Sequence, residues 1–263
     1  MNKKYMISVI TPYNNAEPEV FERSFRSVAE QSIGFENIEY VVVLRAGDKE
    51  RFDSVKEQTA AYQNVKLKVL EDELYSPSDA CEHGLMQAEG EYIAFLGAEG
   101  VLSPETLEKA YRAITEEKAQ ICMFRFDNLV GKNAVAVHQY SLFDKTKERI
   151  VLEKGEYDQK KLITGMNMTV HSKLFERAFL LDERLNFNYR ISFAEEGLFN
   201  ITCFAFAEKI VILPQLIGLQ YHQSDGTAMQ TFKRSQDDLW GLCNSLEKMA
   251  ERGWGYGLYM DAY

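Results

Sequence analysis

The chain has 263 residues, 46% of them hydrophobic, enough for the core of one large α/β domain or of two closely packed halves. A formal charge of −10 excludes a nucleic-acid backbone as the main partner, because phosphate recognition rests on clustered Lys and Arg. With 16 Phe, 14 Tyr and no low-complexity stretch, the composition also excludes disorder. Cys81, Cys122, Cys203 and Cys243 form no C-x-x-C pair and read as reduced thiols of a cytosolic protein. The start of the chain lacks the apolar core and cleavage site of a signal peptide. No window reaches the ~18 apolar residues of a spanning helix, so a cytoplasmic location is expected.

Hydrophobic periodicity gives the elements in chain order. Ile7–Thr11 reads as a buried strand, and Pro18–Ser32 as a helix with Val20, Phe21, Phe25 and Val28 on one face. Tyr40–Leu44 is a second strand, Lys49–Tyr62 a polar helix, Val65–Leu70 a third strand and Ser78–Ala88 a helix. Tyr92–Leu96 is a fourth strand and Gln120–Phe126 a fifth; between them Ser103, Pro104 and Glu105 predict a capped helix start. Strands alternating with helices predict a mostly parallel sheet covered on both faces. Ligands of such sheets sit at the carboxyl ends of strands, which points to the residues after Thr11, Leu44, Leu70 and Leu96. Further on, Ala134–Tyr140 reads as a strand, Lys145–Lys154 as a polar excursion, and Ser172–Phe179 and Glu195–Ala207 as helices. Ile210–Leu213 and Leu216–Tyr221 are short strands, and Lys233–Glu251 is a closing amphipathic helix. The aromatic tail Gly253–Met260 is either packed down or the point from which a longer chain continues.

Several segments, in order, are similar to family 2 glycosyltransferases. Ile7-Ser8-Val9-Ile10-Thr11-Pro12-Tyr13-Asn14-Asn15-Ala16-Glu17 resembles their opening S-V-I-I-P-V-Y-N-A-E, and Phe25–Ser32 the S-V-L-x-Q-T helix that follows. Ile38–Val43 resembles the second strand, Gly90–Leu96 the strand before the metal motif, and Leu102–Glu108 the helix after it. Lys173-Leu174-Phe175 with Phe187, then Glu195–Phe199, resemble K-L-F…F…E-D-L-x-F; Tyr221 to Thr227 resembles the closing Y-R-x-R-x-x-S. The resemblance spans roughly residues 5 to 230. It implies a Rossmann-like GT-A fold, a mostly parallel central sheet flanked by helices with an appended acceptor half. The expected divisions are a nucleotide-sugar half in 1–128, an acceptor half in 129–230, and a C-terminal helix and tail in 231–263. The implied activity is transfer of a sugar, with inversion, from a nucleotide-activated donor to a glycan or cell-envelope acceptor. No nucleic acid and no transmembrane segment are expected; peripheral membrane association is compatible.

The resemblance places donor binding at Pro12, Tyr13, Asn15, Glu17, Arg45 and Glu99. Several family acids on this side are replaced. D-D-G-S has become Leu44-Arg45-Ala46-Gly47, A-R-N has become Ala80-Cys81-Glu82, and the metal motif D-S-D-D has become Gly97-Ala98-Glu99-Gly100. A divalent metal, Mg²⁺ or Mn²⁺, neutralises the departing diphosphate in such a reaction and takes oxygen ligands. Here it would rest on Glu99, with His222 as candidate partner; the plainer alternatives are a solvated loop carboxylate and a packing histidine. Arg45 is either a cation facing phosphate or an exposed turn residue. No G-x-G-x-x-G follows the first strand, which argues against P-loop and dinucleotide enzymes.

On the acceptor side Glu195 and Glu196 occupy the family's acid pair, whose second member deprotonates the acceptor hydroxyl. The alternative is a pair of acids favoured by a helix N-terminus. Lys173 is expected to brace this half through a salt bridge or carbonyl contacts. Tyr189, Phe193 and Phe199 form either a sugar platform or core. Two classes stay open: a transferase, or a catalytically impaired domain of the same fold that binds carbohydrate or protein.

Overall fold

In a computed structural model of the chain, the described residues are 5–13, 16–47, 49–71, 76–130, 133–136, 147–156, 169–187 and 195–223; those at 128–130, 133–136, 195 and 221–223 are described by backbone alone. The run Tyr40-Val41-Val42-Val43-Leu44 has no polar position because its strand, β2 (Ile38–Arg45), is covered on both faces. Tyr40, Val42 and Leu44 join a core with Phe21 and Phe25 of α1 (Pro18–Ala29), Val55 of α2 (Lys49–Thr59) and Leu107 of α4 (Thr106–Glu117). Val41 and Val43 join a second core with Ala80 and Leu85 of α3 (Pro77–Gln87). Parallel strands β3 (Val65–Leu70), β2, β1 (Ile7–Tyr13) and β4 (Tyr92–Phe95) lie side by side in that order.

The sheet continues through β9 (Lys173–Glu176), which pairs antiparallel with β4 on one side and with β6 (Ile121–Val130) on the other. β10 (Lys209–Gln223) runs parallel to β6, and β5 (Gly100–Leu102) pairs antiparallel with β10. β7 (Asn133–Ala136) adds to β6 and β8 (Ile150–Glu153) to β10, both antiparallel. Helices α5 (Arg177–Asp182) and α6 (Glu195–Phe206) join the α3 side of the sheet, where Phe179, Leu180, Leu198 and Phe199 belong to one core. β1 to β4, β6 and β10 therefore point the same way, and their carboxyl ends form one edge.

Four expectations need correction. Ser172–Phe179 is a strand followed by a helix, because the pairing of Lys173–Glu176 between two strands overrides the helix propensity of the segment. The polar excursion contains β8, held by its ladder to β10. The two short strands near 210–221 are one, interrupted by register shifts between Leu213 and Ile217 and between Ile217 and Leu219, where Pro214 and Gly218 stand. Ser103 does not cap α4: its hydroxyl donates to the Ile217 carbonyl at 2.8 Å, and the helix begins at Thr106. The capping box is on α3, where Ser76 Oγ accepts from Asp79 N at 3.1 Å and Asp79 Oδ2 accepts from Ser76 N at 3.3 Å. The predicted Lys233–Glu251 helix and the tail lie outside the described residues, as does the end of the Ala134–Tyr140 strand.

The opposite, amino edge of the sheet is locked by polar contacts. Glu39 is fully buried, accepts from Ser8 Oγ and, at 2.7 Å, from Glu89 N, and pairs with Lys66 Nζ at 2.5 Å. Three strands and the turn into β4 are thus tied through one carboxylate. Gly90 N donates to Ser8 Oγ at 2.8 Å, and a Cβ on Gly90 would meet Ser8 N at 2.4 Å. Gly90→Ala is therefore expected to destabilise the fold by about 1–3 kcal/mol, seen as a lower urea midpoint at an unchanged m-value; an unchanged midpoint would mean that the turn moves aside.

Candidate active site

The crossovers from β1 to β2 and from β3 to β4 place their strands on opposite sides of β1, so the crevice of the open sheet lies beyond the ends of β1 and β4. Pro12 is buried and in register with Val43 of β2. Tyr13 is also buried: its ring meets Phe21 edge-on at 5.1 Å, and its hydroxyl donates to the Ala16 carbonyl at 2.8 Å. That places the ring in the core and the hydroxyl on the turn into α1. Glu17 stands exposed at the N-cap of α1, with Arg51 3.8 Å away. Arg45 is exposed at the end of β2, in register with Leu70 of β3. Asn15 lies outside the described residues. Ala80 and Cys81 pack into the core, while Glu82 Oε2 accepts from Phe187 N at 3.0 Å; burial raises the Glu82 carboxyl, which that bond offsets in part.

After β4, residues 97–100 make a tight turn in which Gly100 N donates to the Gly97 carbonyl at 2.8 Å. Ala98 points into the core and Glu99 is half-buried. The antiparallel register of β5 with β10 sets Tyr221 opposite Gly100, the residue that follows Glu99. The side chain of His222 lies outside the described residues. The predicted Glu99 and His222 each stand next in sequence to one member of that Gly100–Tyr221 pair. Among the described residues no three His, Cys, Asp or Glu side chains cluster as a metal cage. A single described carboxylate, Glu99, suits a Mg²⁺ or Mn²⁺ that is held mainly by substrate phosphates, and not an all-protein site.

Glu196 reaches the same edge by a different route. β9 runs antiparallel to β4, so residues 169–172, which precede it, lie beside the carboxyl end of β4. Glu196 faces them from the first turn of α6, where the helix dipole favours a carboxylate. Its Oε2 accepts from Thr169 Oγ1 at 2.9 Å and from Val170 N at 3.1 Å, and its Oε1 lies 3.5 Å from His171 Nε2. Burial would raise this carboxyl, but the charge and hydrogen bond of His171 together with the Thr169 and Val170 donors outweigh it and hold it at about 2. With a side chain 32% exposed, the group is ionised and still accessible. Thr169 and His171 are functional candidates that sequence reasoning missed; only their place just before Lys173-Leu174-Phe175 could have drawn attention to them. The side chain of Glu195, and Tyr189 and Phe193, lie outside the described residues. Phe199 belongs to the core, stacked on Phe187 at 4.1 Å and edge-on to Phe95 and Phe175, so it offers no platform to a sugar.

Lys173 braces this half as expected. It is fully buried, its ammonium donates to the Thr169 carbonyl, and it sits 5.8 Å from the Phe204 ring centre. Burial pushes its pKa down from 10.5 to about 7, against the pull of Glu196 and Cys203. Between those values the folded chain binds fewer protons than the unfolded one, so stability rises with pH across the window and that contribution is lost as pH falls through about 7. Urea unfolding across the window checks this: wild type should gain on Lys173→Met as pH rises, and parallel curves would refute it.

Comparison with known proteins agrees with this architecture. Residues 8–181 match the family described as Glycosyl transferase family 2. The chain is 26% identical over 233 residues to poly(ribitol-phosphate) beta-N-acetylglucosaminyltransferase TarS of Staphylococcus aureus, a match covering 89% of this chain and 38% of that protein. It is 33% identical over 124 residues to the minor teichoic acid biosynthesis protein GgaB of Bacillus subtilis, covering 46% of this chain and 14% of that protein. It therefore spans well under half the length of these relatives. The crystal structure of S. aureus TarS 1–349 in complex with UDP-GlcNAc superposes with a TM-score of 0.77 at 21% identity, over 93% of this chain and 66% of that one. Mannosyltransferase PcManGT from Pyrobaculum calidifontis, in complex with GDP-Man and Mn²⁺, superposes with a TM-score of 0.60 at 14% identity, over 99% of this chain and 68% of that one. At these identities the structural likeness establishes the fold, a Rossmann-like GT-A sheet flanked by helices. The sequence match runs from within β1 to within α5, over more than half of the chain, and the protein belongs to glycosyl transferase family 2.

Proposed function

We propose that this chain is the sugar-transfer domain of an inverting, cytoplasmic glycosyltransferase that moves a sugar from a nucleotide-activated donor to a hydroxyl of a cell-envelope polymer. The observation that carries this reading is Glu196, an ionised and accessible carboxylate fixed beside the carboxyl end of β4. The acceptor that fits it is a hydroxyl, whose proton passes to the carboxylate as the oxygen attacks the anomeric carbon. The names of TarS and GgaB support an acceptor of the teichoic-acid kind, and the TarS complex supports UDP-GlcNAc as the first donor to try. On the donor side Arg45, with its guanidinium exposed beyond β2, is assigned to the diphosphate. Glu99 and His222 are assigned to a divalent metal, which when bound supplies charge neutralisation of the leaving diphosphate. The three described cysteines are buried thiols, in keeping with a reducing compartment, and among the described residues no helix is long and apolar enough to cross a membrane.

A second reading, a binding module without catalysis, is favoured by one observation: Gly97 and Gly100 stand where the resemblance implies acids. Calorimetric titration with UDP-GlcNAc and with GDP and CDP sugars, with and without Mn²⁺, separates the two. The transferase reading predicts binding that Mn²⁺ tightens and Glu99→Ala weakens, and no binding of any of these donors hands the case to the second reading. Glu196→Gln should leave donor affinity unchanged while lowering transfer to poly(ribitol phosphate) by about 10²–10⁴-fold.

A further inference from the structure

Both donors that fix the Glu196 carboxylate act on Oε2, Thr169 Oγ1 at 2.9 Å and Val170 N at 3.1 Å. A proton taken from an acceptor therefore arrives at Oε1, the oxygen that faces His171 Nε2 at 3.5 Å. The imidazole is not there by the chance fold of a long side chain. His171 N donates to Thr169 Oγ1 at 3.3 Å, so the hydroxyl that holds Glu196 also holds the histidine backbone. Its side chain is 14% exposed, shielded enough for its charge to act on Oε1 with little screening. Two residues on, Lys173 anchors the same turn through the Thr169 carbonyl.

Resting on the assignment of Glu196 as base, we infer that His171 is a positioning residue that acts through it: by gaining or losing its own proton, it decides how strong a base Oε1 presents. An imidazolium beside the carboxylate stabilises the ionised form and makes it reluctant to take a proton; a neutral imidazole withdraws that stabilisation. In the transfer step the acceptor oxygen forms the bond to the anomeric carbon, and the bond from that carbon to the diphosphate breaks with its electron pair on the leaving group. The acceptor proton goes to Oε1. Transfer therefore speeds up as His171 loses its proton. Among the described residues a further charge beside Glu196 is Lys173 of β9, which also lies by Cys203 of α6. Its deprotonation acts in the same direction, so the test must tell the two apart.

The test uses the full chain and has two readouts. In the free protein, the ¹³C titration of the Glu196 carboxyl, assigned by its loss in Glu196→Gln, should have a midpoint well below that of free glutamate. In His171→Phe that midpoint should rise by at least about one pH unit, as expected when an opposite charge within a few ångströms is removed. With UDP-GlcNAc and poly(ribitol phosphate) as substrates, the acid limb of kcat should keep its wild-type place in Lys173→Met and move to clearly lower pH, toward the carboxylate range, in His171→Phe. His171→Gln, which keeps a donor toward Oε1 without a titrating group, should also lose the imidazole limb, and it stands in if the Phe variant does not fold. A carboxyl midpoint indifferent to His171, or an acid limb that stays in place in both variants, overturns the inference alone. Full transfer by Glu196→Gln overturns the base assignment beneath it.

Discussion

Strand β9 is the constraint on which the rest of the molecule depends. It hydrogen-bonds on both sides, antiparallel to β4 and to β6, and so closes the four parallel strands of the first half and the β6–β10 pair into one sheet. Its direction also matters. An antiparallel strand at this place begins where its neighbours end, which brings residues 169–172 to the edge where the crevice opens. Lys173, the first residue of β9, is the unfavourable part of this arrangement, because an ammonium inside a core is costly unless it is bonded. The Thr169 carbonyl meets that need, and in doing so fixes the turn whose Thr169, Val170 and His171 surround Glu196.

The two edges of the sheet divide the work. At the amino edge Ser8, Glu39, Lys66 and the turn at Glu89 and Gly90 are joined in one buried polar network. Between α1 and the start of α4, Gln31 does the same job: it accepts from Leu107 N at 3.0 Å and donates to the carbonyls of Ser27 and Ser103. Every polar atom in these contacts serves rigidity. At the carboxyl edge Arg45, Glu99 and Glu196 keep exposed or half-exposed charge. A stiff base under an accessible rim is the arrangement that lets loops carry chemistry.

Within that rim the two sides differ in chemical character. At the start of α6 stands a carboxylate whose ionisation is secured by three neighbours in one short turn. Beyond β2 and β4 stand a half-buried Glu99, an alanine turned into the core and a cation at Arg45. A charge balance of this kind suits a ligand that brings its own negative groups and a metal carried with them, since the protein supplies few anions of its own there.

Periodicity recovered β1 to β4, α1 to α3 and the direction of the parallel sheet, because burial on one or both faces leaves its mark on neighbouring residues in the chain. The ordered motifs likewise pointed to Glu196 and to Glu99 with His222. The sequence did not disclose what Tyr13, Gln31 or Phe199 do, since a ring that packs and a ring that binds a ligand look alike without neighbours. Nor did it disclose β5, β8 or β9. Lys173–Glu176 has good helix formers and becomes a strand only because β4 and β6 are present on either side to accept its hydrogen bonds. Thr169 and His171 stand more than twenty residues from Glu196, and no local pattern links them to it. Their meeting is decided by the direction of β9 and the position of α6. Burial is written along the chain; contact between distant segments is set by the hydrogen-bond register of the assembled sheet.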